Sequence, residues 1–166
     1  MGYTAIVDYN VGNLASIRHA MDYLGAETRV TAEEAVLEKA DGIILPGVGA
    51  FPDAWAQLER RALPAVLHRM AEKKPILGIC LGMQLLMSSS AEGRLTRGLD
   101  FVPGKVERIP TALKLPHIGW NALHFVTPSP LFEGIDEGAY VYFVHSFSPV
   151  AERPENVYAV TDYGAE

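Results

Sequence analysis

Pro75-Ile76-Leu77-Gly78-Ile79-Cys80-Leu81-Gly82-Met83-Gln84-Leu85-Leu86 is the stretch whose reading decides the fold. An apolar run of strand length, Pro75 to Ile79, passes through Gly78-Ile79-Cys80-Leu81-Gly82 into helix formers, which predicts a buried strand and then a helix from Leu81 to about Ser88. Small residues two positions either side of a nucleophile let strand and helix approach closely while the nucleophile projects outward, and this strand-to-helix context gives the pattern its meaning. Backbone N–H groups after Cys80, at the helix start, favour the thiolate form of its sulfur. The competing reading is a buried, inert cysteine in a tight turn with two incidental glycines.

Upstream, the same alternation repeats. Thr4 to Asp8 is an apolar run, followed by Leu14, Ile17, Met21 and Leu24 at three- and four-residue spacing and a stop at Gly25: strand, loop and amphipathic helix. A short strand is expected at Thr28 to Thr31, a weak helix over Glu33 to Lys39, and a core strand at Gly42 to Leu45 that runs into Pro46-Gly47-Val48-Gly49. Phe51 to Glu72 carries helix formers broken near Pro64. Strands alternating with helices predict an α/β fold with an open, mostly parallel sheet covered by helices on both faces. Ligands of such sheets gather beyond the carboxyl ends of the strands, where both Cys80 and the Gly47-Val48-Gly49 loop fall. Unobstructed N–H groups of that loop can face a developing oxyanion, although a tight turn needing glycine explains the loop equally well.

Downstream of Gly98 the texture becomes β-rich. Lys105 to Ile109, Trp120 to Phe125, Tyr140 to Ser146 and Val157 to Asp162 read as strands joined by Pro- and Gly-rich turns. No repeat or linker divides residues 1–166, so one domain is expected. Tyr163-Gly164 reads as a turn, and a strand at 157–162 that lacks a partner suggests a chain truncated at its C-terminus, shorter than the fold it begins.

Composition narrows the function classes. A formal charge of −6, from 14 basic and 20 acidic residues without a basic cluster, excludes a phosphate-backbone binder, so no nucleic-acid partner is expected. No apolar run approaches the roughly 20 residues that span a bilayer, and no basic leader precedes Tyr3, so no membrane association is expected. A single cysteine forms no internal disulfide, which fits the cytoplasm. No cofactor or metal site is expected.

Cys80-Leu81-Gly82-Met83-Gln84-Leu85-Leu86 together with Pro46-Gly47-Val48-Gly49 resembles the triad-type, class I glutamine amidotransferases, whose fold is flavodoxin-like. Within that family, Asp8-Tyr9-Asn10-Val11-Gly12-Asn13-Leu14, Leu115-Pro116-His117-Ile118-Gly119-Trp120-Asn121 and Tyr142-Phe143-Val144-His145-Ser146 are similar to the glutaminase subunits of imidazole glycerol-phosphate synthase, which act in histidine biosynthesis. The resemblance implies that Cys80 attacks the carboxamide of L-glutamine, releases ammonia and forms a thioester that water resolves. It implies an oxyanion loop at Gly47, Val48 and Gly49, substrate contacts from Gln84, Glu92, Ser146 and Phe147, and a (β/α)8-barrel cyclase partner, in a heterodimer, that receives the ammonia to make imidazole glycerol phosphate and AICAR. Pro116, His117, Gly119, Trp120 and Asn121 would face that partner.

One departure stands out. The family takes its general base from a later His-Pro-Glu motif, and none of His19, His68, His117, His124 and His145 stands in a His-x-Glu sequence. His145, at a strand end beside Ser146, is the candidate substitute base, although the family keeps its counterpart near the site without that duty. Without a base the chain is expected to hydrolyse glutamine poorly. Two alternatives follow: a non-catalytic partner or regulatory subunit of the cyclase, and another cysteine hydrolase of the same architecture using His145.

Overall fold

The computed structural model describes residues 2–164; the two residues after the Tyr163-Gly164 turn lie outside the described residues. Its centre is an all-parallel sheet in the order β2-β1-β3-β4, built from β1 (Thr4–Val7), β2 (Thr28–Thr31), β3 (Gly42–Leu45) and β4 (Ile76–Gly78). Between them run α1 (Leu14–Tyr23), α2 (Glu34–Lys39), α3 (Phe51–Arg60) and α4 (Leu63–Ala71). The open parallel α/β sheet is the expected fold.

Alternation along the strands divides the burial. Ala5 and Val7 of β1 and Ile43 and Leu45 of β3 join one core with Leu37 of α2, Phe51, Trp55 and Leu58 of α3, and Leu63, Leu67 and Met70 of α4. Ile6 and Ile44 point to the opposite face and are also buried. On β4 the opposite face opens: Leu77 is 44% exposed, where a fully buried strand was expected. Helix α1 likewise keeps its predicted stripe of Leu14, Ile17 and Met21 only half covered.

Local chemistry sets the ends of these helices. Asn13 caps α1 by accepting the Ser16 N–H at 3.2 Å. Lys74 donates from Nζ to the carbonyls of Leu37, Glu38 and Ala40 at 3.0, 2.7 and 2.6 Å, which satisfies the end of α2. The break expected near Pro64 falls two residues earlier, at Ala62, which takes φ 53° and lets Pro64 sit in the first turn of α4.

The helix expected from Leu81 to Ser88 is instead one turn, α5 (Leu81–Gln84), followed by β5 (Met87–Ser90). Period-3.6 reasoning fails there because Met87 to Ser90 is claimed by a second sheet, order β11-β7-β5-β6, with β6 (Thr96–Arg97), β7 (Val102–Arg108) and β11 (Phe147–Ala151). A two-stranded ribbon pairs β8 (His117–Ala122) with β10 (Tyr140–His145), His117 opposite His145. The strand expected at Val157 to Asp162 shortens to β12 (Ala159–Val160) and has a partner after all, β9 (His124–Phe125). Sequence alone makes Trp120 to Phe125 a single strand, which leaves β12 nothing to pair with.

Candidate active site

Cys80 sits on the turn between β4 and α5 with φ 56° and ψ −118°, a backbone conformation that costs a non-glycine residue about 1–3 kcal/mol. The two flanking glycines are steric necessities. A Cβ on Gly82 would stand 1.9 Å from the Leu45 carbonyl oxygen, and one on Gly78 would stand 2.5 Å from the Met83 Cα. Strand β3, β4 and the helix thus meet at backbone distance, and the exposed Cys80 is held outward at the carboxyl ends of the strands.

The loop after β3 packs against this turn. Gly47 has no room for a Cβ, which would lie 2.5 Å from the Gly82 nitrogen, while Gly49 needs its φ of +87°. Among the described residues the N–H groups of Val48, Gly49 and Leu81 have no hydrogen-bond acceptor. All three residues line the same cavity as Cys80, so these N–H groups are candidate donors to an oxygen bound there. Beneath the loop, fully buried Tyr9 donates its hydroxyl to the Pro46 carbonyl, and burial pushes its phenol well above the ordinary value. Sequence reasoning gave Tyr9 no such role, because the contact joins segments 37 residues apart.

A cavity of about 340 Å³ joins these parts, lined by Val48, Gly49, Cys80, Gln84, Glu92, Pro116, and residues 144–147 among others. Every expected catalytic, oxyanion-loop and substrate-contact residue lies on it except Gly47, which is packed under the elbow. Gln84 is nearly buried and donates from Nε2 to the Phe147 carbonyl at 3.0 Å, leaving its Oε1 for a ligand. Glu92 accepts the Phe51 N–H on Oε2 at 2.8 Å, so one carboxylate oxygen holds the start of α3. The carbonyls of Ser146 and Phe147 are engaged, by the Ile109 N–H at 3.0 Å and by Gln84 and His145. With two donors on it the Phe147 oxygen is saturated, whereas the Ser146 oxygen keeps a second lone pair.

His145 lines the cavity, but both of its ring nitrogens are occupied, Nδ1 by the Phe147 carbonyl at 3.1 Å and Nε2 by His117 at 3.0 Å. Burial pushes its pKa below the ordinary histidine value; the Phe147 carbonyl opposes that shift and neighbouring His117 adds to it. His117 departs from the expectation of a partner-facing residue: at 1% exposure it lies under the ribbon, because strand alternation turns Ile118 and Trp120 outward and His117 inward. Pro116, after a cis Leu115–Pro116 bond, faces the cavity. Among the described residues no group of three or more His, Cys, Asp or Glu side chains could hold a metal ion, and no helix is long and apolar enough to cross a membrane.

A family model described as "Glutamine amidotransferase class-I" matches residues 5–164. The chain belongs to the class-I glutamine amidotransferases. This amidotransferase chain is 48% identical to the imidazole glycerol phosphate synthase subunit HisH of Moorella thermoacetica over 163 residues, 98% of this chain and 78% of that protein. To the HisH subunit of Methanosarcina acetivorans it is also 48% identical, over 97% of this chain and 79% of the relative. Among solved structures, PurLQS of Thermotoga maritima superposes with a TM-score of 0.75 at 20% identity, covering 99% of this chain and 76% of that one. A glutamine amidotransferase of the same organism gives 0.63 at 17% identity, covering 92% and 64%. These two likenesses concern the amidotransferase fold alone.

Proposed function

We propose that this amidotransferase domain is the glutaminase subunit of an imidazole glycerol phosphate synthase, acting in histidine biosynthesis. Sγ of Cys80 adds to the carboxamide carbon of L-glutamine; the N–H groups of Val48 or Gly49 and of Leu81 receive the oxyanion. Collapse of the adduct expels ammonia and leaves a γ-glutamyl thioester, which water cleaves to glutamate and free thiol. Gln84 Oε1 and the free oxygen of Glu92 orient the amino acid. The observation that carries this reading is the strained Cys80 turn set against unpaired N–H donors across one cavity.

Among the described residues no histidine with a free ring nitrogen faces Cys80 to take the thiol proton. His145 is the histidine of the cavity, and its two engaged nitrogens disfavour it as base. A polypeptide of residues 1–166 should therefore turn over glutamine slowly, since general-base catalysis contributes about 10² to 10⁴-fold. The engaged ring nitrogens of His145 favour, as a second reading, a subunit that binds the cyclase without catalysing.

The partner surface we assign to the outer face of the β8–β10 ribbon. Trp120 pairs with Tyr142 and Ile118 with Val144, all exposed, with Trp120 at 66%. A contiguous apolar ladder of this kind suits a (β/α)8-barrel cyclase. Titrating the chain with the cyclase barrel, with ¹⁵N-amide glutamine present, tests both halves: binding with label in the imidazole product supports the proposal. Trp120→Ala should weaken binding at least about tenfold if Trp120 anchors the interface. Absence of binding overturns the subunit reading; binding without any release of label leaves only the non-catalytic one.

A further inference from the structure

A chain of side chains runs from the cavity wall to the end of the described residues. The Phe147 carbonyl contacts His145 Nδ1 (3.1 Å), His145 Nε2 contacts His117 Nδ1 (3.0 Å), His117 Nε2 contacts Asn121 Oδ1 (2.8 Å), and Asn121 Nδ2 donates to the Asp162 carbonyl (2.9 Å). Both ends are backbone carbonyls, which only accept. The direction of every contact can then be counted.

His145 Nδ1 must carry hydrogen to reach Phe147. Asn121 must present Nδ2 to Asp162, because the flipped amide would bring two carbonyl oxygens to 2.9 Å. Its Oδ1 therefore faces His117, whose Nε2 must also carry hydrogen. The His117–His145 contact needs one more. Four ring nitrogens thus hold three hydrogens, one beyond two neutral imidazoles. We propose that His117 and His145 form a single positioning unit sharing one extra ring hydrogen, which fixes the Phe147 carbonyl at the glutamine site and couples it to the ribbon carrying Trp120.

The surroundings suit one positive charge and resist two. His117 stacks on the rings of Tyr163 and Phe143, at centroid distances of 3.9 and 4.9 Å and within 20° of parallel to each, contacts that favour a cation through the ring π systems. The lowered pKa of His145, to which His117 contributes, opposes a second added hydrogen. The titratable groups facing the pair are Cys80 and Glu92 across the cavity, Tyr163 on the His117 ring, and Asp162, whose carboxylate accepts the Gly164 N–H at 2.9 Å. The Phe147 oxygen also accepts from Gln84, so the pair holds a residue that the substrate-facing glutamine leans on.

Two-bond ¹H–¹⁵N spectra of the protein with ¹⁵N-labelled histidine read hydrogen on each ring nitrogen. At about pH 7, the expected pattern is three hydrogens over the pair, falling to two in Asn121→Ala, which removes the acceptor of His117 Nε2. Two neutral rings in the unsubstituted protein, or a pattern that Asn121→Ala leaves unchanged, overturns the proposal. If Asn121→Ala does not fold, His117→Phe, which keeps the aromatic stack, serves: His145 should then be neutral with hydrogen on Nδ1, and a charged His145 contradicts the account. A second arm rests on the glutaminase reading. In His117→Phe the half-saturating concentration of a glutamine-derived chloroketone at Cys80 should rise at least threefold, while alkylation by iodoacetamide stays unchanged. Failure of the chloroketone in the unsubstituted protein would count against the glutaminase reading alone, whereas equal half-saturation in both proteins counts against the positioning role.

Discussion

At residue 80 the molecule trades stability for placement of a thiol. A side chain at φ 56°, ψ −118° occupies a region natural to glycine, so the strain belongs to the backbone and not to the sulfur. Cys80→Gly should relieve it and Cys80→Ala should not; urea unfolding is expected to find the glycine variant more stable than the alanine variant by about 1 kcal/mol. Equal stabilities would mean that the turn is relaxed as it stands. The elbow was legible in sequence because Gly-x-Cys-x-Gly followed a strand and preceded a helix. Tyr9 and the inward turn of His117 were not legible, since both depend on which strand lies beneath which loop, and that is decided by packing between segments more than 35 and 25 residues apart respectively.

Helix α3 begins just after the Gly47-Val48-Gly49 loop, and Glu92, from a segment 41 residues away, holds its first turn. Replacing Glu92 by Ala removes a charge-assisted hydrogen bond and a favourable helix-end interaction, at a cost of about 1–2 kcal/mol. Glu92→Gln keeps an acceptor and should cost less than half of that in the same denaturation measurement. If the two variants unfold alike, the contact to Phe51 does not stabilise α3. The parallel strands β1, β3 and β4 were legible as apolar runs. The short β5, Met87–Ser90, was not, because three consecutive serines carry no hydrophobic signal; β7 and β6 draw them into the second sheet. β11 was equally hidden behind Pro149, which its place opposite Val106 accommodates.

Across the whole molecule, the cavity joins the Cys80 turn of the parallel sheet to the β8–β10 ribbon through His145, and this makes stability depend on pH. In the folded chain the single shared hydrogen is already in place and the lowered value of His145 resists a second, so near pH 6.5 the unfolded chain, with two free rings, takes up one proton more than the folded pair does. The contribution of His145 is complete above about pH 6.5 and is lost as pH falls through the lowered folded value. Denaturation midpoints at pH 7.5 and 5.5 should therefore fall less in His145→Asn than in the unsubstituted protein; an identical fall in both contradicts the assignment. The architecture and the motif positions were readable from sequence, while the linking of cavity, histidine pair and exposed ladder depends on ribbon register, which pairs His117 with His145 and Trp120 with Tyr142.

The proposed function rests above all on Cys80 being a nucleophile in a glutamine site. Incubating the protein with a glutamine-derived chloroketone and mapping the adduct by peptide mass spectrometry tests it most directly. One adduct is expected, on Cys80, and excess L-glutamine should suppress it. A Cys80 that reacts with iodoacetamide yet stays unmodified by the chloroketone, or whose modification glutamine does not slow, would contradict it.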